Sequence, residues 1–323
     1  LTIAIFLYGV SRRVRRWRQG KPEKRTDQIV KRLVNVFNQA ILQIRTARDP
    51  YPGIMHLSIF WGILALFIGT ALATVDWDVT HLFFDFQFLK GGVYVVYELV
   101  LDILGFLLVL GLALAIYRRY AIKPARLANL PNPLLKRDDL YVLVILSFIV
   151  ITGYLVEGLR IAVTNPDWAP WSPVGNALAS FFRSLGDPSN QVLHTSIWVT
   201  HIVVSFGALG SIPFTKLFHI ISVPANIFYT SLKPVGSLAP LRDDSTVGVK
   251  EWKQFSWKQI LDFEACTRCG RCQDVCPAFA SGAILSPRNM MIKLEAHVWE
   301  KKNGRALLGD VITPAELWAC TTC

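Results

Sequence analysis

Residues 266–277 have the sequence CTRCGRCQDVCP, which spaces four cysteines as C-x2-C-x2-C-x3-C-P. This spacing wraps a short chain around one [4Fe–4S] cluster, and in proteins with two clusters the fourth cysteine binds the other cluster. We therefore predict that Cys266, Cys269 and Cys272 hold one cluster. The alternative is a zinc site, but zinc sites usually pair two C-x2-C units, so the run ending in x3-Cys-Pro favours a cluster.

A second, partial motif ends the sequence, Cys320-x2-Cys323. We expect these two cysteines to join Cys276 on a second [4Fe–4S] cluster, with one further ligand of each cluster lying beyond Cys323. The 43 residues between the motifs include a helical pattern at 288–301 and Pro314, which suits a helix start. This predicts a mostly α-helical ferredoxin domain, like that of the succinate dehydrogenase iron–sulfur subunit.

The composition favours an integral membrane protein with a smaller soluble part. The chain has 323 residues, 52% of them hydrophobic, and a net charge of +11. The positive charge is segregated by loop, which argues against nucleic-acid binding and for contact with membrane lipid. All six cysteines lie in the last 58 residues, which favours reduced cysteines in a cytosolic domain over a secreted disulfide scaffold.

The hydrophobic segments predict an all-α fold with a five-helix transmembrane bundle. Residues 1–10 form the inner end of one helix, and the full spans lie at about 53–75, 92–117, 140–163 and 194–222. A Pro- and Gly-containing linker at 223–258 follows. The ferredoxin domain covers 259–323, and we expect the chain to continue beyond both ends.

The charge of the loops predicts the orientation. Loops 11–52 and 118–139 hold twelve and six Lys or Arg residues, whereas loops 76–91 and 164–193 hold one each. By the positive-inside rule the first pair is cytoplasmic, and so is the ferredoxin domain. Apolar residues at helical spacing within 29–44 predict an amphipathic helix, either on the inner membrane surface or packed on the soluble domain.

The histidines of the last span point to haem. An ideal helix turns 100° per residue, so His194, His201 and His219 would share one face, with about 27 Å between the last two. His56 opens the span at 53–75, so it and His219 would both lie at the inner surface. Two histidines on facing helices can bind one haem b. The alternative is that they are interfacial residues at helix ends.

A second, outer haem is predicted at His201, and its other ligand is left open. His81 in the first outer loop could supply it, or His194 could be the ligand or a quinone contact. The outer haem could also be five-coordinate or absent, so one or two haems are expected. His297 lies in the soluble domain and is expected to be an ordinary helix-surface residue.

Charged residues occur in the outer halves of two spans. Glu98 and Asp102 lie four residues apart, and Glu157 and Arg160 lie three apart. Charges within a membrane usually mark proton or ligand sites, so we predict quinone or proton chemistry there. Arg160 could pair with Glu157 or a haem propionate. The alternative is a structural ion pair with interfacial acids.

The sequence resembles two known families. The five helices, with His56 on the second and the His201/His219 pair 18 residues apart on the fifth, are similar to the gamma subunit of respiratory nitrate reductase. That family's second ligand on the second helix falls at Leu66 here. ACTRCGRCQDVCPAF (265–279) and LSPR (285–288) resemble the heterodisulfide reductase D group, in which cysteine-rich CCG domains follow.

The fusion of both parts resembles the EtfD-like electron-transfer-flavoprotein:menaquinone oxidoreductases of the bacterial inner membrane. The resemblance implies electron flow from a cytosolic donor, electron transfer flavoprotein, through two [4Fe–4S] clusters and haem b to menaquinone. CCG domains or subunits would be further partners. Two alternatives stay open: a quinol-oxidising complex that delivers electrons to a thiol/disulfide site, and a non-catalytic membrane anchor or sensor.

Overall fold

The computed structural model describes residues 1–234, 248–300 and 305–322, and within them the secondary structure is helical, without strands. The helices are α1 (Thr2–Trp17), α2 (Ile29–Val36), α3 (Ile44–Ala47), α4 (Pro50–Thr74), α5 (Leu82–Phe84), α6 (Gly91–Tyr117), α7 (Leu134–Thr164), α8 (Pro173–Phe182), α9 (Asp187–Ser211), α10 (His219–Phe228), α11 (Trp257–Glu264), α12 (Arg271–Asp274), α13 (Pro277–Ala280), α14 (Pro287–Trp299) and α15 (Pro314–Trp318). The predicted all-α fold class is confirmed.

The chain divides into two compact units. The first contains Leu1–Gln43, Lys123–Asp139 and Gly210–Cys323, and the second contains Ile44–Ile122 and Leu140–Leu209. The ferredoxin region therefore folds in one unit with α1 and α10. This division differs from the predicted boundary at 222, because α10 belongs with the cluster-binding region.

Four helical runs in the described residues are long and apolar enough to cross a membrane: Pro50–Phe84, Gly91–Ile122, Leu134–Thr164 and Asp187–Phe214. The first is longer than its predicted span, because π-helical turns at Val75–His81 continue α4 into α5. The left-handed Asp85 (φ 46°) then ends the run. Helix α1 has 16 residues, of which the second half is basic.

Small residues bring α4 and α6 into close contact in the second unit. A Cβ atom on Gly62 would lie 2.7 Å from Leu108 Cβ and 2.8 Å from the carbonyl oxygen of Leu104. Such close approach of backbones is the usual way in which membrane helices associate. Leu108, Leu112 and Val150 form the core of this packing, and Leu66 packs against them. Leu66 thus has an apolar environment at the position where the resembling family has a histidine.

The last predicted span, 194–222, is not one helix, and this corrects the geometric argument for its histidines. Helix α9 ends at Ser211, 3₁₀ turns follow at Ile212–Phe214 and Lys216–Phe218, and α10 begins at His219. Pro213 has no N–H group to continue the helix, and the extended Thr215 separates the two turns. The helical periodicity therefore relates His194 to His201 but does not extend to His219.

The amphipathic segment in the first inner loop is helical, as predicted, over Ile29–Val36 and the π turn at Phe37–Ile41. Ile29 and Leu33 on its apolar side are more than half exposed, while Arg32 is 1% exposed. The Arg32 guanidinium donates to Asp27 and to the carbonyl oxygens of Phe228 and Thr230. The apolar side therefore faces away from the folded unit, as a membrane-surface helix requires.

The ferredoxin region begins at a well-defined helix start. The Ser256 hydroxyl accepts a hydrogen bond from the Gln259 N–H, and the Gln259 side-chain oxygen accepts one from the Ser256 N–H. This capping box starts α11 at Trp257, two residues before the predicted boundary at 259. Helix α15 begins at Pro314 as predicted. The predicted helix at 288–301 begins with Pro287 and ends at Trp299, and Lys301 lies outside the described residues.

Candidate redox site

The loop that carries the first three cysteines curls through two left-handed residues. Arg268 has a φ of 61° and Gly270 a φ of 78°. These two left-handed residues change the direction of the backbone between Cys266 and Cys272. Cys266, Cys269 and Cys272 therefore lie on one short curved segment. Cys266 is half-buried, and the other two are exposed. A loop of this kind fits a [4Fe–4S] cluster, in which each thiolate binds a different iron.

The thiols of Cys266 and Cys272 have raised pKa values. In the part of the chain that the structure describes, no three His, Cys, Asp or Glu side chains are grouped to hold one ion. Burial raises the pKa of the Cys266 and Cys272 thiols, and nearby cysteines add to the rise. Because a thiolate is the ligand, cluster assembly here must release protons.

The cysteines predicted for the second cluster have different environments. Cys276 is half-buried and precedes α13, in which Pro277 is the first residue. Cys320 is an exposed free thiol just after α15. Cys323 lies outside the described residues. The grouping of these three residues on one cluster remains a prediction.

The start of α10 fixes the tautomer of His219. Its Nδ1 atom lies 2.7 Å from the Lys216 carbonyl oxygen. A carbonyl oxygen can only accept, so Nδ1 carries the proton and Nε2 carries the lone pair. Metal-binding histidines commonly donate their other N–H group to a backbone carbonyl in this way. The chemistry of His219 therefore suits axial ligation of haem iron through Nε2.

A cavity of about 740 Å³ in the first unit is lined by both His219 and Cys266. Its wall also contains Thr215, whose Oγ1 atom is buried without a hydrogen-bond partner. An unpaired buried hydroxyl costs stability unless water or a ligand group satisfies it. A predicted cluster ligand and a predicted haem ligand thus line the same cavity.

Two acidic residues of this cavity have raised pKa values. Burial, followed by repulsion from Glu264, raises the pKa of Glu295 to about 7. Burial also raises the pKa of Glu264, although Arg13 opposes the rise with a salt bridge of 3.1 Å. Glu295 is therefore able to change its charge near neutral pH, beside Cys266.

His201 has the same tautomer as His219. Its Nδ1 atom lies 2.9 Å from Thr152 Oγ1, and that hydroxyl donates its single proton to the Phe148 carbonyl oxygen at 2.7 Å. With the Thr152 proton assigned to Phe148, the Thr152 oxygen accepts from His201, which leaves the lone pair on Nε2. Gly153 lies beside the ring, since a Cβ atom there would be 3.4 Å from His201 Cε1. His194 lies two turns earlier on α9, on the same face.

The other predicted haem ligands lie on the long helical run of the second unit. His56 is partly buried in the second turn of α4, and His81 lies at the end of the π-helical turns. The His81 ring stacks on Trp77, with centroids 4.7 Å apart and planes at 13°. The pairing of His56 with His219, and that of His81 or His194 with His201, stay predictions.

Three of the four predicted charged residues of the outer half do meet. Arg160 Nη2 lies 2.9 Å from Glu98 Oε1 and 2.8 Å from Glu157 Oε2. Its Nη1 atom donates to the Tyr94 hydroxyl at 3.1 Å, and the guanidinium lies over the Trp168 ring. One cation thus balances two carboxylates in a largely apolar setting, which is the arrangement that makes such charges tolerable.

Asp102 has a different role from the other three. Its carboxylate accepts from the Ser172 hydroxyl at 3.1 Å and from the N–H groups of Val174 and Gly175 at 3.0 Å. The Asp102 carboxylate thereby satisfies N–H groups in the first turn of α8, which begins at Pro173. The geometry therefore favours the structural interpretation of Asp102, as the residue that anchors α8 against α6.

Several residues of the site were not predicted from the sequence. Asp138, Arg13, Thr152, Tyr94 and Ser172 all contact predicted site residues or the loops that carry them. Asp138 and Arg13 lie in segments rich in charge, so nothing in the local sequence separates them from solvent-exposed neighbours. His297 is buried rather than on the surface, and its ring contacts Glu300.

Comparison with known proteins supports both parts of the molecule. Residues 55–235 match the nitrate reductase gamma subunit family. Residues 257–278 match a 4Fe-4S binding domain, which covers α11 and the first four cysteines. The first match spans more than half of the chain.

Curated relatives include the EtfAB:quinone oxidoreductase of Syntrophomonas wolfei, which is 30% identical over all of this chain and 50% of its own length. The probable iron-sulfur-binding oxidoreductase FadF of Bacillus subtilis is 26% identical over 99% of this chain and 50% of its own. An iron-sulfur subunit of the CoB–CoM heterodisulfide reductase of Methanopyrus kandleri is 36% identical over 21% of this chain and 31% of its own. The chain therefore spans about half the length of the first two relatives. No solved structure matches it.

Proposed function

Since the chain belongs to the nitrate reductase gamma subunit family and also contains a 4Fe-4S binding domain, we propose that it conducts electrons between iron–sulfur clusters and haem b in a membrane. It would be one part of a quinone-linked oxidoreductase. The names of two relatives, an EtfAB:quinone oxidoreductase and an iron-sulfur-binding oxidoreductase, support this proposal.

The observation that carries the proposal is the shared cavity of the first unit. Cys266 and His219 line the same cavity, although they lie 47 positions apart in the sequence. Electron transfer rates fall steeply with distance, so a fold that brings a cluster ligand and a haem ligand to one cavity favours transfer between them. When bound, the clusters and haems accept and release single electrons.

The residues of this chain would hold the cofactors as follows. Cys266, Cys269 and Cys272 bind one cluster, and Cys276, Cys320 and Cys323 bind the second. His219 and His56 bind the inner haem, and His201 binds an outer haem with His194 or His81. The Nδ1 hydrogen bonds of His219 and His201 would orient each ring and leave its Nε2 atom to bind haem iron.

The Arg160 cluster is the proposed quinone site. Quinone reduction requires protons, and Glu98 and Glu157 could supply them while Arg160 balances their charge. Tyr94 places a hydroxyl group on the same guanidinium. Asp102 anchors the adjoining helix and is not needed as a proton carrier.

The direction of flow that we propose runs from a cytosolic donor, electron transfer flavoprotein, to menaquinone. The Lys and Arg content of loops 11–52 and 118–139 supports a position of the ferredoxin region on the cytoplasmic side of a bacterial inner membrane. Further cluster-bearing domains or subunits would complete the complex.

The reverse direction is the second candidate, and the similarity to a heterodisulfide reductase subunit favours it. A quinol would then be oxidised at the Arg160 cluster, and electrons would leave to a thiol/disulfide site. Turnover with reduced electron transfer flavoprotein and a menaquinone analogue, compared with turnover from quinol to a disulfide, separates the two directions.

The test is a redox-titrated visible spectrum of the purified protein, with haem and iron quantified per chain. We expect His219→Ala to lose one b-type haem while the cluster signal in electron paramagnetic resonance (EPR) persists, and Cys269→Ser to do the opposite. His297→Ala is the matched control, because that histidine lies on α14 of the ferredoxin region and is not a predicted haem ligand. A complete haem spectrum in His219→Ala would remove the haem assignment, and with it this function.

A further inference from the structure

The Asp138 carboxylate joins two segments of the first unit that are distant in sequence. Its Oδ2 atom accepts from Arg268 Nη2 at 2.5 Å, and its Oδ1 atom accepts from the Lys216 backbone N–H at 3.0 Å. Arg268 lies between Cys266 and Cys269, and Lys216 lies three residues before His219. Asp138 therefore contacts the cysteine loop and the turn before His219 at the same time.

The contact continues from the turn to the histidine itself. The Lys216 carbonyl oxygen accepts the hydrogen bond from His219 Nδ1 at 2.7 Å. Lys216 is held in addition by its ammonium group, which lies 2.8 Å from Asp139 Oδ1. Lys216 is thus fixed at its backbone N–H, its side chain and its carbonyl group. A shift of Asp138 would therefore move the Lys216 carbonyl oxygen, which is the hydrogen-bond partner of the His219 ring.

At the other end, Asp138 holds Arg268 in an unusual backbone conformation. Arg268 is 9% exposed and has a φ of 61°. Residues other than glycine seldom adopt left-handed conformations, because the crowding of Cβ against the following carbonyl oxygen costs free energy. The charge-assisted hydrogen bond from its guanidinium to Asp138 compensates for part of this cost. The pair therefore determines how the chain curves between Cys266 and Cys269.

We propose that Asp138 and Arg268 are positioning residues that couple the environment of the first cluster to that of the haem bound by His219. This inference rests on the proposed function, because it requires both cofactors. A single series of hydrogen bonds connects the two cofactor sites, from the cysteine loop through Asp138 and Lys216 to His219. A change at either end of the connection then alters the spectrum of the cofactor at the other end.

The test is EPR spectroscopy with redox titration of the cofactor-loaded protein carrying Asp138→Asn, with Asp139→Asn as the matched control. Both variants remove one negative charge from the same place, and Asp139 also lies 3.8 Å from Arg268. Asp138 accepts from the Lys216 backbone N–H, whereas Asp139 accepts from the Lys216 ammonium group. We expect both variants to raise the midpoint potentials, and Asp138→Asn to change the haem g values more than Asp139→Asn does, because Asp138 contacts both the cysteine loop and the backbone of Lys216. Equal g values in the two variants would overturn the proposal.

Arg268→Gln is the second variant, and it tests the coupling between the cysteine loop and the haem if Asp138→Asn does not fold. It alters the cysteine loop but leaves the hydrogen bond between Asp138 and Lys216 intact. We expect a changed haem g value from this substitution in the cluster loop, and a haem spectrum identical to that of the parent protein would refute the coupling. If the parent protein lacks haem, or His219→Ala retains it, then the proposed function fails first, and this inference falls with it.

Discussion

Thr152 Oγ1 lies 2.9 Å from His201 Nδ1 and donates a hydrogen bond to the Phe148 carbonyl oxygen at 2.7 Å. A residue of α7 thereby orients a histidine of α9 and selects its tautomer. Because both groups are only partly exposed, removing the hydroxyl would leave the Nδ1–H group without this acceptor in an apolar setting.

Thr152→Val should weaken the haem site at His201. This isosteric change removes the hydroxyl group that accepts from His201 Nδ1. The His201 ring then loses its orientation, and its Nε2 atom becomes a poorer electron donor. Loss of such an outer-shell partner typically costs 10–100-fold in metal affinity, and we expect roughly tenfold weaker haem retention and a higher midpoint potential. The measurement is a haem titration followed by visible spectroscopy.

Thr200→Val is the matched control for that prediction. Thr200 precedes His201 on α9, is exposed, and bonds only the Ser196 carbonyl oxygen of its own helix at 2.8 Å among the contacts seen. It should leave haem affinity at the parent level. Equal affinities in the two variants would show that Thr152 does not support a haem ligand.

Glu98→Gln should slow quinone turnover at least tenfold without changing haem content. Glutamine keeps an oxygen for Arg160 but cannot carry a proton at neutral pH, and positioned proton transfer typically contributes 10²–10⁴-fold. Glu157 would still balance Arg160 at 2.8 Å, so the fold should persist. Steady-state reduction of a menaquinone analogue is the measurement.

Asp102→Asn should affect stability rather than proton transfer. The Asp102 carboxylate anchors α8 and does not bind Arg160 among the contacts seen. Loss of these charge-assisted hydrogen bonds should destabilise the protein by about 1–3 kcal/mol. Thermal unfolding in detergent should show the loss, with haem and turnover declining together. A stable Asp102→Asn protein with a selective loss of turnover would instead assign Asp102 to proton transfer.

The sequence was sufficient for those parts of the fold that depend on composition and spacing. The four long apolar segments and the ferredoxin region were predictable, since a membrane requires about 20 apolar residues and a cluster requires closely spaced cysteines. The face shared by His194 and His201 follows from helical periodicity, which holds along the uninterrupted helix α9.

Prediction failed where one residue interrupts a regular pattern. Pro213 breaks the last span, and a proline inside an apolar segment was a signal that could have been used. The bonds of Asp138 to Arg268 and of Thr152 to His201 join residues 130 and 49 positions apart. Such contacts depend on the packing of whole helices, which the local sequence does not encode.

Gly62→Ala should destabilise the contact between α4 and α6. The new Cβ atom would approach the Leu104 carbonyl oxygen to 2.8 Å, and a backbone atom cannot move aside as a side chain can. Overpacking of this kind costs about 1–3 kcal/mol. Gly92→Ala is the control, because nothing lies within 4 Å of a Cβ atom there. Thermal unfolding should separate the two variants, and equal melting temperatures would contradict the close packing.

The midpoint potential of the first cluster should fall between pH 6 and pH 8. The pKa of Glu295 is raised to about 7 by burial and by Glu264, so this carboxyl group is mostly neutral at pH 6 and mostly ionised at pH 8. Glu295 and Cys266 line the same cavity, and a negative charge there disfavours the added electron. The lower potential therefore belongs to the higher pH.

Glu295→Gln should hold the potential at the pH 6 value across this range, as followed by EPR-monitored titration. Glu316→Gln is the control: its hydrogen bonds from Lys293 and Thr313 lower the pKa of Glu316, so the native group is already ionised at pH 6. That variant should keep the dependence on pH. If the midpoint potential of Glu295→Gln still falls between pH 6 and pH 8, another group titrates beside the cluster. Glu264, whose pKa is also raised by burial, would be the next residue to replace.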